Sequence, residues 1–312
     1  MKPLAKLIGQ PLAVELLERI KITRKIAPAY LFVGTEGVGK ALAARCFAEM
    51  LLISDDDNYQ KVSQQINSGN HPDFLWVEPT YNNKGELLTV KQAQEQGVKR
   101  KTVPQIRIEQ VREISEFLAR PPLKADRCFV VIESAHLMAE SAGNALLKTL
   151  ENPGKATIIL IANSSDSILT TLVSRCQSIP FFRLSEEDLK LVLSRAGASE
   201  VFDYPQLINL AQGSPGKAIE HWQKLTEVPT DLMSQLNKLP FEILNGFNLA
   251  KEISSNLELD IQIWLADYLQ YLYWEKKRDL NLVESLENNK RLLKRYVQPR
   301  LVWDCFFLNN QE

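Results

Sequence analysis

Short runs of apolar residues alternate with helical patterns over the first 183 residues, and this alternation constrains the fold more than any other feature. The apolar runs, each predicted to be a strand, are residues 30–33, 74–77, 128–132, 157–161 and 178–182. The predicted helices are residues 11–25, 40–53, 108–118 and 141–151. The run at 128–132 is apolar at every position, which is typical of a strand covered on both faces. Strands that alternate with helices favour a mainly parallel sheet, so the sequence predicts an α/β domain over residues 1–183.

The strand signals stop after Leu184, and the rest of the chain shows helical patterns. Residues 185–188 read Ser-Glu-Glu-Asp, a good helix start because acidic side chains suit the positive end of the helix dipole. We therefore predict a small helical domain over residues 184–223 and a further all-helical domain over residues 224–312. Residues 80–105 fit neither pattern and are predicted to form a long polar loop or insertion.

Composition excludes several classes of protein. The chain has 37 Lys and Arg against 38 Asp and Glu, and this balance argues against a strongly basic nucleic-acid-binding body. No apolar run approaches the roughly 18 residues of a membrane span, and the first residues lack a signal-peptide pattern, so we expect a cytoplasmic protein without membrane contact. The four cysteines lie far apart in the sequence, which predicts neither a zinc ribbon nor a disulfide framework.

Residues 34–41 read Gly-Thr-Glu-Gly-Val-Gly-Lys-Ala and lie between a predicted strand and a predicted helix. They match the phosphate-loop pattern G-x-x-x-x-G-K-[ST] at every fixed position except the last. Such a loop turns backbone N–H groups toward phosphate oxygens at a helix N-terminus, and Lys40 would add a positive charge. The last position normally supplies a Mg²⁺ ligand, but Ala41 has no oxygen to offer. The alternative is a glycine-rich turn that binds nothing.

The buried strand at 128–132 is followed by Glu133 and Ser134, where a phosphate-loop fold has its second nucleotide motif. In that motif two adjacent carboxylates hold Mg²⁺ and activate the attacking water. Glu133 keeps one carboxylate, whereas the hydroxyl of Ser134 is far too weak a base for the second task. We therefore expect ATP hydrolysis to be absent or very slow. The alternative for Glu133 is a polar strand end without a role.

Further sequence segments occur in the same order as in a known protein family. They are Ile-Gly-Gln at 8–10, Asn-Ala-Leu-Leu-Lys-Thr-Leu-Glu-Asn-Pro at 144–153, Asn163, Ser-Arg-Cys at 174–176 and Gly-Ser-Pro-Gly-Lys-Ala at 213–218. With the two nucleotide motifs, they make the chain resemble the AAA+ clamp-loader family of the bacterial DNA polymerase III. Over the last hundred or so residues, the resemblance depends on helix content alone.

The resemblance implies an α/β RecA-like AAA+ domain over 1–183, a small helical lid domain over 184–223, and an all-α C-terminal collar domain over 224–312 that drives assembly. It implies nucleotide contacts at Gly34, Gly37, Val38, Gly39, Lys40, Glu133, Asn163 and Lys217. In the family, the arginine of Ser-Arg-Cys reaches the γ-phosphate of ATP held by a neighbouring subunit. Arg175 is therefore expected to act in trans as an arginine finger, because its planar fork can bridge two phosphate oxygens. A surface salt bridge is the alternative for Arg175.

The function that this resemblance implies is a non-hydrolysing organiser of a clamp loader. Its partners would be motor subunits of the gamma or tau type and a delta subunit, with the sliding clamp and primed DNA reached through the assembled complex. No cofactor would be required, and whether ATP or ADP is bound without hydrolysis stays open. The alternatives are an ATP-hydrolysing motor subunit, which Ala41 and Ser134 oppose, and a direct DNA-binding module, which the near-zero net charge opposes.

Many members of the family have a four-cysteine zinc module before a Gly-x-His-Pro-Asp segment. Here that segment is residues 69–73, but no cysteine lies between Cys46 and Cys128. We therefore expect no zinc and predict that His71 caps a turn or helix. The basic stretch at 98–101 is predicted to be a solvated loop, with a contact to the DNA backbone as the alternative.

Overall fold

A computed structural model describes residues 3–53, 59–98, 103–237 and 243–310. The chain divides into two compact units, Met1–Leu189 and Lys190–Glu312. The boundary between them falls inside a helix, Glu186–Arg195, which begins with three acidic residues as the sequence predicts. Of the basic stretch predicted at 98–101, all but Val98 lies outside the described residues.

The first unit is built on parallel strands, which confirms the predicted α/β class. Its strands are β1 (Ala29–Val33), β2 (Phe74–Val77), β3 (Thr80–Asn83), β4 (Glu86–Thr89), β5 (Cys128–Ile132), β6 (Ala156–Ala162) and β7 (Gln177–Pro180). Five of them form one sheet in the order β2-β5-β6-β1-β7, and every neighbouring pair is parallel. The carboxyl ends of all five strands therefore lie on one edge of the sheet, and their amino ends lie on the other.

Helices cover both faces of this sheet. They are α1 (Pro11–Thr23), α2 (Lys40–Leu52), α3 (Tyr59–Asn67), α4 (Val90–Glu95), α5 (Ile108–Leu118), α6 (Glu140–Glu151) and α7 (Thr170–Val173), with 3-10 turns at Pro3–Lys6, Ala135–Leu137 and Ser165–Ser167. Successive strand residues point to opposite faces. On one face Phe47 of α2 packs edge-on against Tyr30 and Phe129. On the other, Leu31, Val130 and Ile158 form the core with α5 and α6.

Residues 80–105 differ from the predicted loop. β3 and β4 pair as an antiparallel hairpin, and α4 follows directly with a capping box made by Thr89 and Gln92. Leu88 and Ala93 are fully buried, and Gln105 returns to pair with Thr80 through two backbone hydrogen bonds of 2.9 and 3.0 Å. The loop prediction was wrong because the hairpin strands are only four residues long and mostly polar, so they give no apolar run.

The second unit is helical, as predicted. It contains the rest of α8 (Glu186–Arg195), then α9 (Pro205–Ala211), α10 (Pro215–Glu227), α11 (Thr230–Leu236), α12 (Ile243–Asn256), α13 (Leu259–Lys277), α14 (Leu280–Lys294) and α15 (Pro299–Asn309), with a 3-10 turn at Ser199–Asp203. The buried helix α13 packs against α9, α10 and α14, and α12 packs against α15. Position 223/224 lies inside α10, so the division of this half into lid and collar domains stays a prediction. Among the helices that the structure describes, none has the length and apolar character to cross a membrane.

Candidate nucleotide-binding site

The loop at 34–41 turns from the end of β1 into α2, as a phosphate loop does. Gly34 has a φ of 155°, and a Cβ there would lie 2.3 Å from the carbonyl oxygen of Phe181, so only glycine fits. Gly39 has a φ of 103° and precedes the first residue of α2. Because glycine has no side chain to cap the helix, the N–H groups of the first turn are left for an anion. The contacts predicted at Gly34, Gly37, Val38 and Gly39 therefore lie on a tight turn at a helix N-terminus, and their binding to phosphate stays a prediction.

Lys40 is folded back onto this loop. Its side chain is buried, and Nζ donates to the carbonyl oxygens of Gly34 and Thr35, the second at 2.7 Å. Burial lowers the pKa of Lys40 to about 8, although the negative charges of Glu36 and Glu133 oppose this shift. A bound phosphate would have to draw the ammonium group away from the two carbonyl oxygens.

Glu133 stands at the end of β5 and is held by groups of the protein. The indole Nε1 of Trp76 donates to Glu133 Oε2 at 2.9 Å, and the guanidinium carbon of Arg45 lies 4.1 Å from the centre of the Trp76 ring. Burial raises the pKa of Glu133 and the carboxylate of Glu78 adds to this, whereas the Trp76 hydrogen bond and the charge of Arg45 lower it. Sequence reasoning missed Trp76 and Arg45, because their approach to Glu133 depends on the pairing of β2 with β5.

The carboxyl edge of the sheet brings most of the predicted nucleotide positions together. Gly34 donates its N–H to the carbonyl oxygen of Ala162 at 3.3 Å, so Asn163 lies directly beside the start of the loop. Asn163 is exposed at this edge. Glu133 is close enough for its charge to act on Lys40. Loop N–H groups, the Lys40 ammonium and the Asn163 amide can donate to phosphate oxygens, whereas the Glu133 carboxylate repels them.

Gln10 and His136 also belong to this site, although sequence analysis assigned them no role. The buried amide of Gln10 donates to the carbonyl oxygens of Val38 and Phe182 and accepts the N–H of Phe182 at 3.0 Å. It therefore ties the phosphate loop to the segment that follows β7. His136 Nδ1 is buried without a hydrogen-bond partner. Burial lowers the pKa of His136, with the charges of Glu36 and Lys40 acting in opposite directions. The Ile-Gly-Gln segment was the available signal for Gln10.

The Gly-x-His-Pro-Asp segment has a structural role. His71 Nδ1 accepts the N–H of Asp73 at 3.2 Å, so the prediction that His71 caps a turn is confirmed. The Asp73 carboxylate accepts three backbone N–H groups, from Leu123 at 2.6 Å and from Lys124 and Ala125 at 2.8 Å each. Within the described ranges, no group of three or more His, Cys, Asp or Glu side chains could hold a metal ion.

Arg175 lies on the other edge of the sheet, between α7 and the start of β7. Its side chain is 41% exposed, donates from Nη1 to the carbonyl oxygen of Thr171 at 3.0 Å, and pairs with Glu151 at 3.3 Å. The surface salt bridge that the sequence left as an alternative is therefore present. An exposed pair of this kind stabilises a fold by ~1 kcal/mol or less, so it does not tie Arg175 to this position.

Lys217 lies near the start of α10, in the second unit. Its N–H bonds to the hydroxyl of Ser214, which caps the helix, and its side chain lines a shallow surface depression with His221 and Asp267. Because Lys217 and the phosphate loop belong to different units, its contact with a nucleotide stays a prediction.

In comparisons with known proteins, each half of the chain matches a family model. Residues 9–185 match the family model described as DNA polymerase III, delta subunit, and residues 187–310 match that described as cyanobacterial DNA polymerase III delta prime, C-terminal domain. The chain is 30% identical to DNA polymerase III subunit delta' of Pseudomonas aeruginosa over 273 residues, covering 83% of this chain and 76% of that protein. It is 28% identical to subunit delta' of Bacillus subtilis over 217 residues, which cover 65% of this chain and 59% of the Bacillus protein.

The fold also resembles a solved structure. The crystal structure of a DNA polymerase III gamma subunit-related protein from Thermotoga maritima aligns with a TM-score of 0.56 and 16% identity, covering 95% of this chain and 98% of that chain. At this identity the likeness concerns the fold alone.

Proposed function

Because this chain belongs to the DNA polymerase III delta-prime family, we propose that it acts in a clamp loader as an AAA+ subunit that hydrolyses no ATP itself. In this role it supplies Arg175 to ATP held by a neighbouring motor subunit of the gamma or tau type. The observation that carries the proposal is the position of Arg175, exposed on the edge of the sheet opposite to its own phosphate loop.

The distance follows from the register of β7 on β1. Gln177, the first residue of β7, pairs with Tyr30, four residues before Gly34, and Arg175 precedes Gln177 by two residues. At about 3.3 Å per strand residue, the start of β7 is roughly 13 Å from the start of the loop, and Arg175 comes before that start. An arginine side chain is much shorter than this. This separation supports the proposal that Arg175 meets a γ-phosphate held by another chain.

The chain's own site lacks the groups that hydrolysis needs. Ala41 has no oxygen for a metal ion, and Ser134 offers no carboxylate to activate water. In this proposal ATP or ADP, where the loop binds it at all, is a ligand that the chain does not consume. Neither zinc nor another cofactor is required for this role.

The remaining partners follow from the same role. A clamp loader opens a sliding clamp and places it on primed DNA, and this chain would contact its motor and delta subunits while it meets the clamp and DNA through the assembled complex. Its place of action is the cytoplasm, where bacterial DNA is replicated. The helical second unit would provide the collar contacts that hold the subunits together.

The test is a clamp loader reconstituted with Arg175→Ala in this chain. Arginine fingers are worth about 10³–10⁵ in rate, on the order of 4–7 kcal/mol of barrier. Only the motor site that faces this subunit should lose its finger, so DNA-stimulated ATPase falls in part and clamp loading falls further. Arg175→Lys should not rescue loading fully, because an ammonium group cannot bridge two oxygens. Arg112→Ala removes another exposed arginine of the same unit and serves as the control.

Complex formation by size-exclusion chromatography is measured in parallel. All variants should assemble as the wild type does, because only an exposed ion pair is lost. Loaders with Arg175→Ala that load clamps at the wild-type rate would rule out the finger. Failure of the wild-type chain to join the motor and delta subunits would rule out the role in the clamp loader.

A further inference from the structure

We propose that Glu151 is a positioning residue for Arg175, and that it holds the guanidinium in the orientation that meets a phosphate of the neighbouring chain. The inference rests on the proposed function, because it takes Arg175 to act on ATP held by a motor subunit. Glu151 is not among the residues that the family resemblance places at a nucleotide. Its test is separate from that of Arg175, since Glu151 can be changed while the arginine stays in place.

Glu151 is the last residue of α6, where a negative charge is unfavourable. The carbonyl groups at a helix C-terminus carry partial negative charge, so Lys148 in the same turn suits this position and a carboxylate does not. The side chain of Glu151 is 56% exposed, so burial does not explain the choice of residue. The contact that offsets the unfavourable position is the one with the Arg175 guanidinium, at 3.3 Å.

Two acceptors on two helices hold the guanidinium. Nη1 donates to the carbonyl oxygen of Thr171 in α7 at 3.0 Å, and Nη2 donates to Glu151 Oε1 in α6. The two helices pack against each other, and Leu150 of α6 and Leu172 of α7 are buried in the same core cluster. Both acceptors therefore stand on a packed part of the fold. The two contacts use two of the five N–H groups of the guanidinium, and the other N–H groups can bridge phosphate oxygens.

The ion pair gains strength when this edge of the sheet is covered. In the free chain it is weak, because water screens two half-exposed side chains. A neighbouring subunit excludes that water, and the attraction between carboxylate and guanidinium increases as the dielectric constant falls. Glu151 then keeps Arg175 in one rotamer, so less side-chain entropy is lost when the guanidinium meets the phosphate. Because a carboxylate repels phosphate, the phosphate approaches the side of the guanidinium that faces away from Glu151.

Clamp loading by the reconstituted loader, measured at saturating and at limiting ATP, tests the proposal. Glu151→Ala should lower the rate at saturating ATP by about three- to tenfold, the effect of leaving one arginine side chain to be ordered in each turnover. The ATP concentration that gives half of the maximal rate should change by less than about twofold, because the lost interaction serves the transition state. Glu151→Gln keeps an accepting oxygen without the charge, so its rate should lie between those of the wild type and Glu151→Ala.

A double-mutant cycle shows whether Glu151 acts through Arg175. In a chain that already has Arg175→Ala, adding Glu151→Ala should change the loading rate by less than about twofold. A merely structural role of Glu151 would lower the rate by the same factor in both backgrounds. The matched control is Glu116→Ala, because Glu116 is also an exposed carboxylate in the last turn of a helix, α5. It should load clamps at the wild-type rate.

Three results would overturn the proposal. They are clamp loading at the wild-type rate with Glu151→Ala, faster loading with Glu151→Ala, and an equal loss when Glu151→Ala is added to Arg175→Ala. If Arg175→Ala lowers loading and Glu151→Ala does not, the inference about Glu151 fails and the proposed function stands. If Arg175→Ala itself loads clamps at the wild-type rate, both fail. Size-exclusion chromatography should show that every variant joins the complex, because only an exposed ion pair is lost.

Discussion

Asp73 offers a sharp test of how the amino edge of the sheet is built. Its carboxylate is 2% exposed and accepts the N–H groups of Leu123, Lys124 and Ala125. These contacts fix the loop between α5 and β5, at whose tip Leu123 is 77% exposed. Asp73→Asn keeps the shape of the side chain but replaces one accepting oxygen with a donor.

The expected loss follows from counting these bonds. In its better orientation the amide oxygen faces Lys124 and Ala125, while the amino group faces the N–H of Leu123 and loses that bond. A hydrogen bond to a charged group contributes about 1.5–3 kcal/mol, and the two remaining bonds weaken with the loss of charge. We expect a total of about 3 kcal/mol, which lowers the melting temperature of the first unit by roughly 6–12 °C at ~2–4 °C per kcal/mol.

The pH dependence supplies an independent check. Burial by itself raises the pKa of Asp73, but the three backbone N–H donors outweigh it, and the pKa lies below its ordinary value. A carboxyl group with a lowered pKa stabilises the fold above its unfolded pKa of about 4 and loses this contribution as the pH falls through the folded value. The difference in unfolding free energy between wild type and Asp73→Asn should therefore be full at neutral pH and shrink below about pH 4.

Thermal unfolding followed by circular dichroism, with amide hydrogen exchange at Leu123, Lys124 and Ala125, measures both effects. Asp126→Asn changes an exposed aspartate of the same loop and should leave stability within about 0.5 kcal/mol of the wild type. An Asp73→Asn chain with wild-type melting temperature and unchanged exchange at the three amides would refute this reasoning.

Three further outcomes are expected. The isolated chain should hydrolyse ATP no faster than its Lys40→Ala variant, and a turnover of about 1 s⁻¹ that disappears in the variant would contradict this. Metal analysis should find less than one zinc per chain, with no change in His71→Ala, because His71 Nδ1 accepts a backbone N–H. Trp264 Nε1 donates to His221 Nδ1 at 2.9 Å, and burial lowers the pKa of His221. The second unit should therefore lose stability as the pH falls below about 6.5, and Trp264→Phe should reduce this dependence in urea unfolding.

Apolar periodicity predicted the elements that are covered on both sides. β5 and α5 have the predicted bounds, and the strand predicted at 157–161 is one residue longer at each end. The pattern failed at α3 and at the hairpin of β3 and β4, where elements cover the core with few apolar residues. In α3 only Val62 and Ile66 are buried, so its apolar stripe is one turn long.

The candidate site likewise contains some residues that the sequence predicts and others that it does not. Gly34, Lys40 and Glu133 were predictable, because each belongs to a motif that is contiguous in sequence. Trp76 and Arg45 were not, because they approach Glu133 only through the pairing of β2 with β5 and the packing of α2. The contact depends on the strand order β2-β5-β6-β1-β7, and the sequence pattern does not reveal that order.

The two edges of the sheet separate two kinds of electrostatic environment. At the carboxyl edge α2 begins, and its free N–H groups attract phosphate. At the amino edge α6 and α7 end beside Arg175, and helix C-termini carry partial negative charge. The partial negative charge of these helix ends and the carboxylate of Glu151 attract a cation and repel an anion such as phosphate. Arg175 is exposed at this edge, and α2 begins at the opposite one. Under the proposed function, the phosphate that Arg175 meets is therefore one that another subunit holds.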